Sequence, residues 1–150
     1  MATKKGTDSK WAAQDVLSRR DHSEAEMRQK LSRKGFSAPD IQETIDWLYE
    51  QKLLDDRAYA ARYVESILRS KTVGPRWIAA KLKQRGVEQQ YITEVLTQLM
   101  PPEKERELMA EASESWKRLH QKHATDKARL TRFLASRGFS EHLVREQVFN

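Results

Sequence analysis

Three segments of the chain carry one frame: an apolar residue, Leu four positions on, and Gly four positions after that. They read MRQKLSRKGFSAPDIQETIDWL from Met27, IAAKLKQRGVEQQYITEVLTQL from Ile78 and LTRFLASRGFSEHLVREQVFN from Leu130. Their glycines, Gly35, Gly86 and Gly138, stand 51 and 52 residues apart. A period in that range implies a tandem array of small units, not one globular domain built around a single site.

Aligned on the glycines, the columns Met27/Ile78/Leu130, Leu31/Leu82/Leu134, Phe36/Val87/Phe139, Ile41/Ile92/Val144 and Ile45/Leu96/Val148 are all apolar. The four-residue spacing on either side of Gly predicts one helix before it and one after it. Gly suits the junction because it takes the left-handed conformation that ends a helix. Twelve residues upstream stand Ser23, Gly74 and Asp126. Ser23 with Glu26 makes a capping box, Gly74-Pro75 puts Pro at the first helical position, and Asp126 is a good cap. The spacing therefore predicts middle helices over 24–34, 75–85 and 127–137. A further helix precedes each cap, with apolar stripes through Trp11, Ala13, Val16 and Leu17, through Tyr59, Tyr63, Val64, Ile67 and Leu68, and through Leu108, Met109, Ala112, Trp116 and Leu119. The expected fold is all-α: three three-helix repeats in an elongated, curved tandem array, about nine helices without strands. The expected divisions are a solvated tail over 1–10 and repeats over 11–52, 53–100 and 101–150. The segment Met100-Pro101-Pro102 is the expected hinge between the second and third repeats.

Composition agrees with such an array. Apolar residues make up 38 % and charged residues 33 % of the 150, which is lean for one core and suits amphipathic helices. No cysteine is present, which removes disulfides, thiolate metal sites and Cys nucleophiles and points to a cytoplasmic setting. No apolar run is long enough for a bilayer, so no membrane partner is expected.

Candidate chemistry is sparse. Asp21, His22 and Ser23 are residue types of a hydrolase triad, but three consecutive side chains cannot line up as nucleophile, base and orienter. A helix cap explains them better. His120 and His123 do not close a metal site, and Asp55-Asp56 read as the start of a helix. Neither catalytic residues nor metal or cofactor ligands are assigned, and the chain is not expected to be an enzyme.

Charge is more informative. The net charge is +6. The middle helices concentrate it: Arg28, Lys30, Arg33 and Lys34 in the first, Arg76, Lys81, Lys83 and Arg85 in the second, Lys127, Arg129, Arg132 and Arg137 in the third. The last helix of each repeat is acidic or neutral, with Asp40, Glu43, Asp46 and Glu50, then Glu88 and Glu94, then Glu141 and Glu146 against Arg145. A helix-turn-helix reader would place that last helix on a phosphate backbone, so sequence-specific duplex reading is disfavoured. The basic residues instead predict a stripe along one side of the array. Lys34, Arg85 and Arg137, just before the glycines, are also explained by helix C-termini, where a cation is favourable. Trp77 replaces the polar Glu26 and Arg129 of its column, and is read as either an exposed contact anchor or packing against a neighbouring repeat. Trp47 and Trp116 are expected in the core.

These residues resemble the RecX family, bacterial regulators of the RecA recombinase. The matching pieces are Leu17, Arg20-Asp21-His22-Ser23-Glu24, Met27, Lys30-Leu31 and Lys34-Gly35-Phe36. They continue with Leu53-Leu54-Asp55-Asp56, Tyr59, Ala60, Arg62, Tyr63, Val64, Arg69, Lys71, Gly74-Pro75, Ile78, Lys81-Leu82 and Arg85-Gly86-Val87. The resemblance spans nearly the whole chain, although the third repeat matches by pattern only. Met27 stands where the family has Leu, and Trp77 where a basic residue is expected. The resemblance implies an inhibitor of RecA that lies in the groove of the RecA filament on single-stranded DNA. Such a protein suppresses ATP hydrolysis, strand exchange and coprotease activity. The candidate contacts to RecA or DNA are Arg28, Lys30, Arg33, Arg69, Lys71, Arg76, Trp77, Lys81, Lys83, Arg129 and Arg132, carried by a monomer. The competing reading is an autonomous, non-sequence-specific DNA-binding protein acting through the basic stripe.

Overall fold

The computed structural model describes residues 6–150. Among them are nine α-helices and no strand. They group as α1 (Gly6–Arg19), α2 (Glu24–Arg33) and α3 (Ala38–Glu50); α4 (Asp56–Ser70), α5 (Pro75–Gln84) and α6 (Gln89–Leu99); and α7 (Pro102–Leu119), α8 (Lys127–Ser136) and α9 (Glu141–Phe149). A short 3₁₀ turn, Gln121–His123, joins α7 to α8. The total surface is 9589 Å², against the about 7900 Å² of a compact monomer of 17.6 kDa, which agrees with an elongated array.

The three middle helices start and stop for the reasons their sequences give. The Ser23 hydroxyl accepts from the Glu26 amide while Glu26 accepts from the Ser23 amide, so both halves of the capping box form. Asp126 accepts from the Arg129 amide, and Asp55 caps α4 through the Ala58 amide. Gly35, Gly86 and Gly138 have φ of 93°, 81° and 86°. The next amide in each copy donates back to the Leu carbonyl of the frame: Phe36 to Leu31, Val87 to Leu82 and Phe139 to Leu134. That bond satisfies an orphan carbonyl and puts the following aromatic or Val into the core. The same motif closes α3 without glycine, at Lys52 with φ of 58°.

Two apolar cores form. One belongs to the first unit alone, with Ala13, Val16, Met27, Leu31, Ile45 and Leu48. The other runs without a break through the second and third units, from Val64, Ile78, Leu82 and Ile92 to Met109, Leu134, Phe139 and Leu143. The hinge expected at Met100-Pro101-Pro102 is therefore corrected. Pro101 and Pro102 open α7, and the units on either side share one core.

The expected tail is corrected as well. Residues 6–10 are the first turns of α1, and residues 1–5 lie outside the described part. Ser9 is fully buried with its hydroxyl on that of Thr44, and Lys10 reaches Glu43 at 3.7 Å. Ser9, Ala12, Ala13 and Val16 set the buried face of α1, so Trp11 falls off it and is 69 % exposed. Leu119, one turn past Trp116, is 80 % exposed and also leaves the expected stripe.

Candidate functional site

The middle helices meet end to end, and the same columns make both joints. At the first joint the Ser23 hydroxyl donates to the Arg85 carbonyl. At the second the Gly74 amide donates to the Arg137 carbonyl at 2.8 Å, and the Arg76 amide to the Gly138 carbonyl at 3.0 Å. The N-terminus of α2 thus sits on the C-terminus of α5, and that of α5 on the C-terminus of α8. Amide ends face carbonyl ends, the arrangement helix dipoles favour. Contact is close. A Cβ on Gly86 would lie 2.2 Å from the Ala25 Cβ, and one on Gly138 2.3 Å from the Trp77 nitrogen, whereas one on Gly35 would meet nothing within 4 Å.

A polar clasp surrounds the first joint. Arg62 forks onto Asp21, its Nη2 donating to Oδ1 at 3.0 Å. The Glu24 amide donates to Asp56 at 2.8 Å. Arg85 donates to the Tyr59 hydroxyl at 3.0 Å, lies 4.6 Å above the Tyr63 ring and approaches Glu26 at 3.8 Å. Burial raises the Glu26 carboxyl, but the Ser23 amide, the Tyr59 hydroxyl and Arg20 outweigh it and leave it below its usual range. Burial, and then Glu26, push the Tyr59 hydroxyl up to about 12 against the pull of Arg85. Burial also raises Asp56.

Beside the second joint lies a cleft of about 400 Å³ lined by Lys71, Trp77, Trp116, His120, Phe133 and Arg137, with Leu119 at its edge. Trp116 stacks on His120 at 5.0 Å and on Phe133 at 6.2 Å. Lys71 and Lys81 stand over the Trp77 ring at 5.9 and 5.2 Å, and Arg137 over Phe133 at 5.6 Å. Aromatic faces ringed by cations suit a planar group that carries negative charge.

The sequence-predicted contacts separate into groups. Lys30, Arg33, Arg69, Arg76, Lys83 and Arg132 are exposed, and no ion pair engages them among the described residues. Arg28 is held by Glu24 at 3.0 Å and Gln42 at 2.8 Å, and Arg129 by Asp126 at 3.2 Å, so both are partly neutralised. Lys71 and Lys81 come together over Trp77, which with Lys71 lines the cleft. Trp77 is half-buried against the third unit, as its packing reading expects, and the rest of its ring lines the cleft. Sequence reasoning missed the clasp role of Arg62, Tyr63 and Arg85, and the cleft wall of Trp116, His120 and Phe133. The signal for the clasp was present: Asp21, Tyr59, Arg62 and Arg85 lie among the motif residues, yet the α1–α2 connection, α4 and the end of α5 carry them.

Repeated three-helix units joined end to end, with cationic and aromatic surface at the joints, define a helical-repeat protein. The family profiles for the RecX first and second three-helix domains match residues 12–48 and 55–96. The regulatory protein RecX of a Thermus thermophilus strain is 37 % identical over 134 residues, covering 89 % of this chain and 85 % of the relative. That of Vibrio campbellii is 36 % identical over 133 residues, covering 88 % and 84 %. The crystal structure of RecX from Lactobacillus salivarius superposes with a TM-score of 0.86 at 20 % identity, over 94 % of this chain and 92 % of that one, and shows a shared fold. A second crystal structure of regulatory protein RecX gives 0.85 at 26 % identity, over 95 % and 72 %. The chain belongs to the RecX family.

Proposed function

We propose that this protein modulates RecA: it binds the RecA filament on single-stranded DNA and suppresses ATP hydrolysis, strand exchange and coprotease activity. Family membership supports a regulatory role. The observation that carries the finer reading is the row of middle helices, α2, α5 and α8, laid end to end with exposed cations along it. A long, repetitive, anionic partner is matched by a short repetitive cationic array, and several weak contacts on one rigid frame add as avidity. The cleft beside Trp77 offers a stacking surface to an unpaired base of the bound strand.

The test is RecA ATPase on single-stranded DNA, titrated with this protein. Inhibition that saturates near one protein per few RecA subunits supports the reading. Unchanged turnover together with no binding to the filament contradicts it.

The exposed, unpaired cations Lys30, Arg33, Lys83 and Arg132 also favour the second reading, direct DNA binding without RecA. It predicts binding to naked single strands whose affinity falls steeply with salt, as counterion release requires. Filament binding that is strong where naked DNA binding is undetectable argues against it.

A further inference from the structure

A second cationic cleft, of about 370 Å³, opens in the first unit. Its walls are Asp15, Val16 and Arg19 from α1, Arg20 and His22 from the connection, and Lys30 and Lys34 from α2. It lies away from the Trp77 cleft, and it shares with the stripe only Lys30 among the contacts assigned above. Four cations and one carboxylate line it. Arg19 reaches Asp15 at 3.5 Å, and Arg20 donates to the Asp21 carbonyl at 2.8 Å and reaches Glu26 at 3.4 Å. No ion pair holds Lys30 or Lys34 among the described residues. Like charges brought this close repel, and an anion between them relieves the repulsion.

His22 supplies the second observation. It is only 4 % exposed. Its Nδ1 lies 3.0 Å from the Arg20 carbonyl, which accepts, so Nδ1 carries the proton in the neutral ring. Its Nε2 is buried and has no hydrogen-bond partner. An unsatisfied buried ring nitrogen costs stability. Protonation makes the ring a cation, which an anion in the adjoining cleft favours by charge alone. Burial, helped by Arg20 and Lys30 and opposed by the Arg20 carbonyl and Glu26, holds the His22 pKa below its ordinary value.

We propose that the cleft between α1 and α2 binds a phosphate group, with Arg19, Arg20, Lys30 and Lys34 as its cationic wall and the His22 ring buried beside it as the group that senses the bound charge. Guanidinium forks fit the paired oxygens of a phosphate, and the lysines add point charge. The group is either a phosphodiester of a nucleic acid or a free polyphosphate. The inference stands apart from the RecA reading, because it concerns this chain alone.

The His22 ring is the reporter. Its NMR signals are followed against pH in the full chain at constant ionic strength, first with sodium pyrophosphate and then with a short oligothymidylate. A bound phosphate raises the His22 pKa by about one pH unit, the size of a Coulomb term across a solvated cleft. The oligothymidylate backbone keeps its charge from about pH 5 to 8, so its affinity rises as pH falls through the His22 pKa. A response to both probes, or to pyrophosphate alone, assigns a general or a polyphosphate site respectively, and a response to the oligomer alone assigns a backbone site. The exposed double variant Lys30→Gln, Lys34→Gln loses the response while its helical circular dichroism is kept. No response to either probe overturns the proposal. So does a response equalled by chloride, one that survives the double variant, or one given only by a poly-glutamate peptide.

Discussion

At the residue scale the three glycines look alike in sequence and differ in what they meet. All have positive φ, so an Ala at any of them carries the left-handed penalty of about 1–2 kcal/mol. Gly35 carries only that, because its Cβ direction is open. Gly86 and Gly138 add a clash with the neighbouring unit, and at Gly138 the struck atoms are backbone as well as side chain. Urea denaturation of the three Gly→Ala variants should rank Gly35→Ala as mildest and Gly138→Ala as most destabilising, by several kcal/mol. Equal losses at all three would mean that the glycines serve only as helix ends. Lys52 is the reverse case, a left-handed residue where glycine would suit. Lys52→Gly should raise stability by up to about 1 kcal/mol, after the entropy glycine adds to the unfolded chain is subtracted.

At the element scale the first joint is held by a clasp of charge and hydroxyl groups, while the second rests on shared apolar core. Glu26 is central to the clasp. Its folded pKa is lowered, so the stability it contributes is present above its unfolded pKa, near 4.5, and is lost as pH falls through the folded value. Glu26→Gln should lower stability at neutral pH and flatten the acid limb of the stability profile, measured by denaturation from about pH 6 to 3. An unchanged acid limb would show that Glu26 is not coupled to folding. A double-mutant cycle on Asp21 and Arg62 should give about 0.5–1 kcal/mol, the range of a partly exposed forked pair. The helices themselves were legible: the caps Ser23, Gly74 and Asp126, with Pro75 at the first helical position, and the three glycines place the middle helices to within a residue. What crosses between helices was not. Arg85 could be read as a cation suited to any helix C-terminus, and only the fold shows it lying over Tyr63 and reaching Tyr59. Trp11 was misplaced because it lies inside α1 on the face opposite Ser9, Ala12, Ala13 and Val16, and Leu119 because an apolar residue at a helix end looks like one in its stripe. The α1 start was missed because Ser9, its buried contact, is polar and pairs with Thr44, which is far along the chain.

For the whole molecule, the repeat period announced an array, and the shared columns explain how the units join. The joints consume much of the motif that marks the family: Asp21, Ser23, Tyr59, Arg62, Gly74 and Arg85 hold the frame in shape. In the proposed function, recognition falls to what the joints leave exposed, along α2, α5 and α8 and at the clefts beside them. The net charge and the period were visible in the sequence. The division of cations into those spent on the clasp, such as Arg62 and Arg85, and those left free, such as Lys30 and Lys83, was not, because it depends on which helices abut. The most direct measurement compares binding of this protein to RecA–single-stranded-DNA filaments and to the same strand without RecA, for the native chain and for a variant with Lys30, Arg33, Lys81 and Lys83 each changed to Glu. We predict tighter binding to the filament than to the naked strand, and at least a tenfold loss on the filament in the variant with its helical content unchanged. Undiminished filament binding by the folded variant, or native binding to the naked strand that RecA does not improve, would contradict the account.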